Sequence, residues 1–190
     1  MRVGVDGAVP GDAAALADDV HDRLRALGLP TARVRQRDFW LPRSQRLELG
    51  ADDPDARWER WQDDAALRRE VLDPLGPGGG MQWLPTLRDP STDRSTRAPR
   101  RPAAPGTVVV VDGRFLLRWE TADAFDAVVH LRTAGATQRR RLHEQEDAVE
   151  AAAAPPSWQR YLDETWPEQR AWLVVRHDHP ARPAVLAVDA

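Results

Sequence analysis

Met1-Arg2-Val3-Gly4-Val5-Asp6-Gly7-Ala8-Val9-Pro10-Gly11-Asp12-Ala13 opens the chain, and its reading decides the rest. Val3 to Asp6 is a short β-branched run stopped by Gly7, and Pro10-Gly11 makes a turn. From Asp12 to Leu27 the apolar residues Ala15, Leu16, Val20, Leu24 and Leu27 recur every three to four positions, with Gly28 as the stop. That spacing predicts an amphipathic helix. Thr31 to Gln36 is a second strand, so strand, turn, helix and strand form a βαβ unit and imply a parallel sheet.

The strongest strand signal lies farther on, at Thr107-Val108-Val109-Val110-Val111-Asp112-Gly113. Four consecutive valines fit a central strand covered on both faces. Ala127 to Leu131 and Ala171 to Arg176 are further core strands, and Val185 to Val188 is a β tail. Between them, Pro42 to Asp53 is polar and Arg-rich and reads as a loop, with short helices over Pro54–Gln62 and Asp64–Leu72. Pro74 to Gly80 is an irregular turn, and Pro99, Pro102 and Pro105 exclude helix from the polar stretch that follows. Ala134 to Ala154 reads as a charged helix that Pro155-Pro156 breaks, and Ser157 caps a shorter helix running to about Trp166.

Composition narrows the function classes. The chain has 190 residues, 42% hydrophobic and 30% charged, which suits one domain with a packed core over residues 1–190. The formal net charge of −3 gives no global pull toward nucleic acid or an anionic membrane. Cysteine is absent, which excludes disulfides, thiolate catalysis and Cys-ligated zinc. Lysine is absent too, and all 27 basic residues are arginine, so no mechanism that needs a lysine operates here. No apolar stretch of signal-peptide or membrane-span length occurs, and a cytoplasmic protein is expected.

Several places can carry chemistry. The turn at Gly7–Ala13 resembles a phosphate-binding loop, whose motif is G-x-x-x-x-G-K-[ST]. Here three residues separate Gly7 from Gly11, Asp12 stands at the lysine position and Ala13 at the Ser/Thr position. An ordinary βα turn explains the same residues. Asp112, at the end of a parallel strand, stands where an acid that holds Mg²⁺ belongs, although strands commonly end in Asp-Gly turns. The segment Arg37 to Arg60, with Trp40, Trp58 and Trp61 interleaved, suits either an acidic or aromatic ligand or a solvated surface pinned by tryptophan. His177 and His179 flank Asp178 without a third ligand nearby and read as surface histidines. The run Arg139-Arg140-Arg141 is a solvated helix face, or a lid that closes on phosphate.

Taken in order, Val3–Gly7, Asp38-Phe39-Trp40-Leu41-Pro42-Arg43, Ala66–Gly79 (with Leu72-Asp73-Pro74-Leu75-Gly76-Pro77-Gly78-Gly79), Val108–Leu117 and the Tyr161…Pro167…Arg170-Ala171 tail resemble the uridine kinase-like P-loop nucleoside kinases of actinobacterial type. The resemblance runs nearly end to end. It implies a three-layer α/β/α fold with a parallel five-stranded core sheet, residues 135–166 serving as a lid with flanking helices. It also implies ATP and Mg²⁺ as cofactors and transfer of the γ-phosphoryl group to a nucleoside hydroxyl.

The departures fall on the chemistry. The loop lysine and Ser/Thr correspond to Asp12 and Ala13 in a loop one residue short, and the general-base aspartate position holds Arg37. Asp38, one place along, serves as a displaced base only if the backbone kinks, since neighbouring side chains on a strand face opposite ways. Arg43 and Arg46 remain as acceptor-side residues, Asp112 as the metal-side acid, and Arg139 and Arg141 as lid cations. The leading expectation is a degenerate, catalytically impaired member that binds a nucleoside-sized or small anionic ligand or regulates a partner. The alternative is an active nucleoside kinase in which Asp38 is the base and an arginine such as Arg114 replaces the lysine. A third is an interaction module that uses its eight tryptophans as surface anchors.

Overall fold

The computed structural model describes residues 1–146 and 148–186. Its sheet contains β1 (Arg2–Gly7), β2 (Thr31–Arg35), β3 (Val108–Gly113), β4 (Ala127–Arg132), β5 (Leu173–Arg176) and β6 (Ala184–Leu186), in the spatial order β6-β5-β4-β1-β3-β2. The five strands from β5 to β2 are parallel, and β6 adds an antiparallel edge. The five-stranded parallel core is therefore present, extended by one strand. Ala187 to Ala190, including the end of the expected β tail, lie outside the described residues.

Period-two alternation sends each strand's side chains to two different layers. Val5, Val110, Leu131 and Val175 pack under helix α1 (Pro10–Ala26), against Ala13 and Ala17. Val34, Val109, Val111, Val128 and Val174 face the opposite way, onto Leu67, Leu72, Trp58 and Tyr161. The four-valine run is thus split between both faces of an interior strand. Helix α1 starts two residues earlier than the periodicity predicts because Pro10 sits in its first turn, where the missing N–H costs nothing.

The second layer is made by α2 (Pro54–Glu59), α3 (Asp64–Leu67) continued by a π-helical turn Arg68–Leu72, and the long helix α5 (Ala148–Thr165). Asp53 and Asp63 cap the first two, accepting the Ala56 and Ala66 amides at 2.7 and 2.9 Å. The loop expected over Pro42–Asp53 contains one helical turn, Arg43–Arg46. The segment after Gly80 is irregular, with two short antiparallel ladders, Gln82–Trp83 with Arg101–Pro102 and Arg88–Asp89 with Arg94–Ser95.

The expected break at Pro155-Pro156 does not occur. Helix α5 runs through both prolines, and Ser157 Oγ donates to the Ala154 carbonyl at 2.9 Å instead of capping a new helix. Proline in a helix interior forfeits a backbone bond, and the packing here offsets it. Trp158 and Tyr161, in the turns that follow, are buried in the main core with Phe115 and Trp58. The preceding helix α4 (Gly135–Gln145) buries Leu142 against Val9, Ala151 and Ala154. The 135–166 region is thus packed onto the body of the sheet.

Trp58, Trp61, Trp83 and Trp158 are buried, whereas Trp119, Trp166 and Trp172 are exposed. No helix among the described residues is long and apolar enough to cross a membrane.

Candidate functional site

Parallel strands leave a crevice beyond their carboxyl ends, where open α/β sheets bind ligands. A cavity of about 450 Å³ occupies that position here, past the ends of β2 and β3 and the start of α1. Pro10 and Gly11 form one wall. Arg37, Trp40, Arg43 and Arg46 form another, and Asp112, Arg114 and Glu146 lie at its inner end.

On the loop side, Asp12, Arg141 and Asp112, expected to meet phosphate or metal, each hold another part of the chain. Asp12 Oδ2 accepts from Arg141 Nη1 at 2.5 Å, and both side chains are largely buried. Arg141 also donates to the carbonyls of His177 (2.9 Å) and Asp178 (2.7 Å), so its fork is spent within the protein. His177 Nδ1 lies 3.4 Å from the same Asp12 oxygen. Arg139, two residues before Arg141, is exposed.

The backbone of the loop is equally committed. One common nest of N–H groups pairs right- and left-handed residues, and no residue from Gly7 to Ala13 has a positive φ. The Asp12 and Ala13 amides donate to the Val9 carbonyl as ordinary first-turn bonds. Gly11 N–H donates to Gln145 Oε1 at 2.9 Å, and a β-carbon at Gly11 would lie 2.6 Å from that oxygen. Ala13 is fully buried on the face of α1 that packs on the sheet.

Asp112 is buried, and Arg33 Nη2 stands 2.5 Å from its Oδ1. Burial raises the Asp112 carboxyl above the usual range, and Arg33 opposes the rise. Arg33 in turn bonds Asp18 of α1 at 2.8 Å. Among the described residues no group of three His, Asp or Glu side chains is arranged to hold a metal ion.

The chain bends after β2 in a single 3-10 turn, Gln36–Phe39. It turns Gln36 inward, where its Oε1 accepts the Arg114 amide at 2.9 Å and its amide group lies 3.5 Å from Asp64. Gly113 has no side chain because Gln36 fills that space. Burial raises Asp38 from 3.8 to about 6 against the pull of Arg37 and Arg35, but Asp38 is not among the residues that line the cavity. Asp64, deeper still, is raised to about 6, mainly by burial.

The opposite wall differs. Arg46 is buried with its guanidinium against both Trp40 and Trp61, 4.9 and 5.0 Å from rings that themselves meet edge to face, and donates to the Leu41 carbonyl. Arg37 and Arg43 are exposed at the cavity, and neither forms an ion pair among the described residues. A cationic rim beside an aromatic face suits a small anion carrying a planar group.

Some of this network has no local signature. Arg33, Arg57, Gln145 and Glu146 meet their partners only through the fold; the one hint is Arg33, a charged residue inside a parallel strand. A buried knot was also missed: Asp6 Oδ2 accepts from Tyr161 OH at 2.8 Å and lies 2.7 Å from His130 Nδ1, while Asp6 Oδ1 accepts the Leu116 amide. All three side chains are sealed from solvent, and the knot ties β1, β4 and α5 together. Burial and the Asp6 charge hold the Tyr161 hydroxyl well above its usual pKa.

No protein-family model matches the chain, and no curated protein is similar to it in sequence. Solved structures do resemble it. The structure of a possible uridine kinase from Bacillus stearothermophilus superposes with a TM-score of 0.71 at 20% identity, covering 92% of this chain and 87% of that one. The D-glycerate 3-kinase from Cryptococcus neoformans var. grubii gives 0.54 at 14% identity, covering 88% and 79%. At these identities the likeness speaks for architecture alone: the chain shares with these structures the α/β fold, a parallel sheet with helices on both faces, that its sequence blocks led one to expect.

Proposed function

We propose that this protein is a nucleoside kinase-like chain whose phosphate loop no longer serves ATP, and that it binds a small anionic ligand in the arginine-lined cavity. The Asp12–Arg141 pair carries the reading. P-loop catalysis consists largely of positioning and neutralising phosphate charge. Here a carboxylate stands at the lysine position, and the nearest replacement cation is bound to that same carboxylate.

Mg-ATP fits these residues poorly. The loop has no left-handed residue, Gly11 N–H is taken, Ala13 has no hydroxyl, and Asp112 faces a guanidinium. The open wall with Arg37, Arg43 and Trp40 is where a ligand finds uncommitted donors.

A phosphoryl-transfer assay across nucleosides with Mg-ATP tests the proposal, the expected result being no turnover above the uncatalysed rate. Magnesium-dependent transfer would overturn it. The second reading, an active kinase with displaced groups, needs Asp38 as its base; its carboxyl is raised to about 6, but it does not line the cavity. That reading requires Asp38→Asn to abolish such turnover.

A further inference from the structure

The end of α4, Gln145, and the residue after it, Glu146, lie against the turn after β1. Gln145 Oε1 occupies the N–H of Gly11, and the next residue, Glu146, enters a pair of guanidiniums. Glu146 Oε1 accepts from Arg57 Nη2 at 2.9 Å and from Arg114 Nη2 at 2.7 Å, and Oε2 accepts from Arg57 Nη2 at 2.9 Å. The arginine side chains are 1% and 6% exposed, and that of Glu146 is 9% exposed.

Both arginines are held independently of this contact. Arg114 Nε donates to the Ala8 carbonyl at 2.7 Å, which fastens it to the turn after β1. Arg57 lies over the Trp61 ring at 4.2 Å. Two fixed guanidiniums around one carboxylate form a geometry that receives a phosphomonoester equally well, since both anions accept forked N–H donors. Arg114 and Glu146 also line the inner end of the cavity, so a ligand there meets this carboxylate directly.

We infer that Arg57 and Arg114 form an anion site which the chain fills with its own Glu146, and that a phosphomonoester in the cavity exchanges with that carboxylate. Exchange would withdraw Glu146 and, through the adjacent peptide, release Gln145 from Gly11. The inference deepens the proposed reading of the cavity as a site for a small anion. It does not depend on whether ATP is turned over.

The test uses inorganic phosphate and phenyl phosphate as probes, without magnesium or nucleotide, on the full chain. Replacing Glu146 by Gln removes the internal competitor while keeping its shape. E146Q is expected to bind phosphate about tenfold or more tightly than the unaltered protein by calorimetry. Its melting temperature is expected to rise with phosphate but not with chloride of equal ionic strength, and R114Q/E146Q is expected to lose both gains. Unchanged phosphate affinity in folded E146Q overturns the exchange site. If E146Q folds only when phosphate is added, that rescue supports it. If E146Q folds in neither buffer, E146D carries the comparison, tighter phosphate binding supporting the site and unchanged binding overturning it. Phenyl phosphate separates the two claims: if it binds E146Q no better than phosphate does, the cavity reading fails while the exchange site stands.

Discussion

The two walls of the cavity are built from the same residue type and behave differently. On the loop side Arg114, which lines the cavity, and Arg33, Arg57 and Arg141, which stand behind it, are spent on Glu146, Asp112 and Asp12. On the facing wall Arg37 and Arg43 are solvated at the cavity without an ion pair among the described residues. A guanidinium buried with its carboxylate is a structural part whose removal leaves an uncompensated charge, whereas an exposed one is available to a ligand. Substitutions in the two walls should therefore separate stability from binding.

The largest effect is expected at the closed wall. Arg141→Ala strands the Asp12 carboxylate and should cost about 3–5 kcal/mol in urea unfolding. D12A/R141A, which removes both charges, should recover most of that loss, and a double variant as unstable as R141A would break the distinction.

Asp64, joined to the same wall through Gln36, gives the next effect. Its folded pKa of about 6 lies above the unfolded 3.8, so the native state holds the extra proton between those values. The stability this contributes is complete below about pH 4 and is lost as pH rises through 6. Wild type minus D64N should thus fall by roughly 2–3 kcal/mol from pH 4 to pH 7, and a flat difference would contradict the burial argument.

At the open wall the pattern reverses. Arg43→Ala should leave unfolding free energy within about 0.5 kcal/mol, yet weaken sulfate or phenyl phosphate binding about tenfold. The smallest effect concerns Asp38. Its protonation below about pH 6 removes a negative charge beside Arg37, so sulfate, whose own charge is constant there, should bind a few-fold more tightly at pH 5.5 than at pH 7.5. D38N should abolish that dependence.

The layers of the fold were legible because they follow from local periodicity: the valine run over Val108–Val111 and the three-to-four spacing in α1 need nothing from the rest of the chain. Helix α5 was misread at Pro155-Pro156 because burial of Trp158 and Tyr161 outweighs a local proline penalty that sequence alone makes visible. The altered loop was legible residue by residue at Asp12 and Ala13. What Asp12 does was not, since its partner Arg141 lies 129 residues away and only the fold brings them together. The same holds for Glu146, which carries no motif and gains its place from the turn between two helices. Asp38 needed a kink to reach the site, and the turn over Gln36–Phe39 bends the chain there without bringing Asp38 to the cavity lining.

Calorimetric titration of the purified chain with Mg-ATP tests the central claim most directly. A loop whose cation is replaced by the Asp12–Arg141 pair should give no saturable heat at millimolar nucleotide. Saturable, magnesium-dependent binding, lost on substitution within Gly7–Ala13, would contradict it.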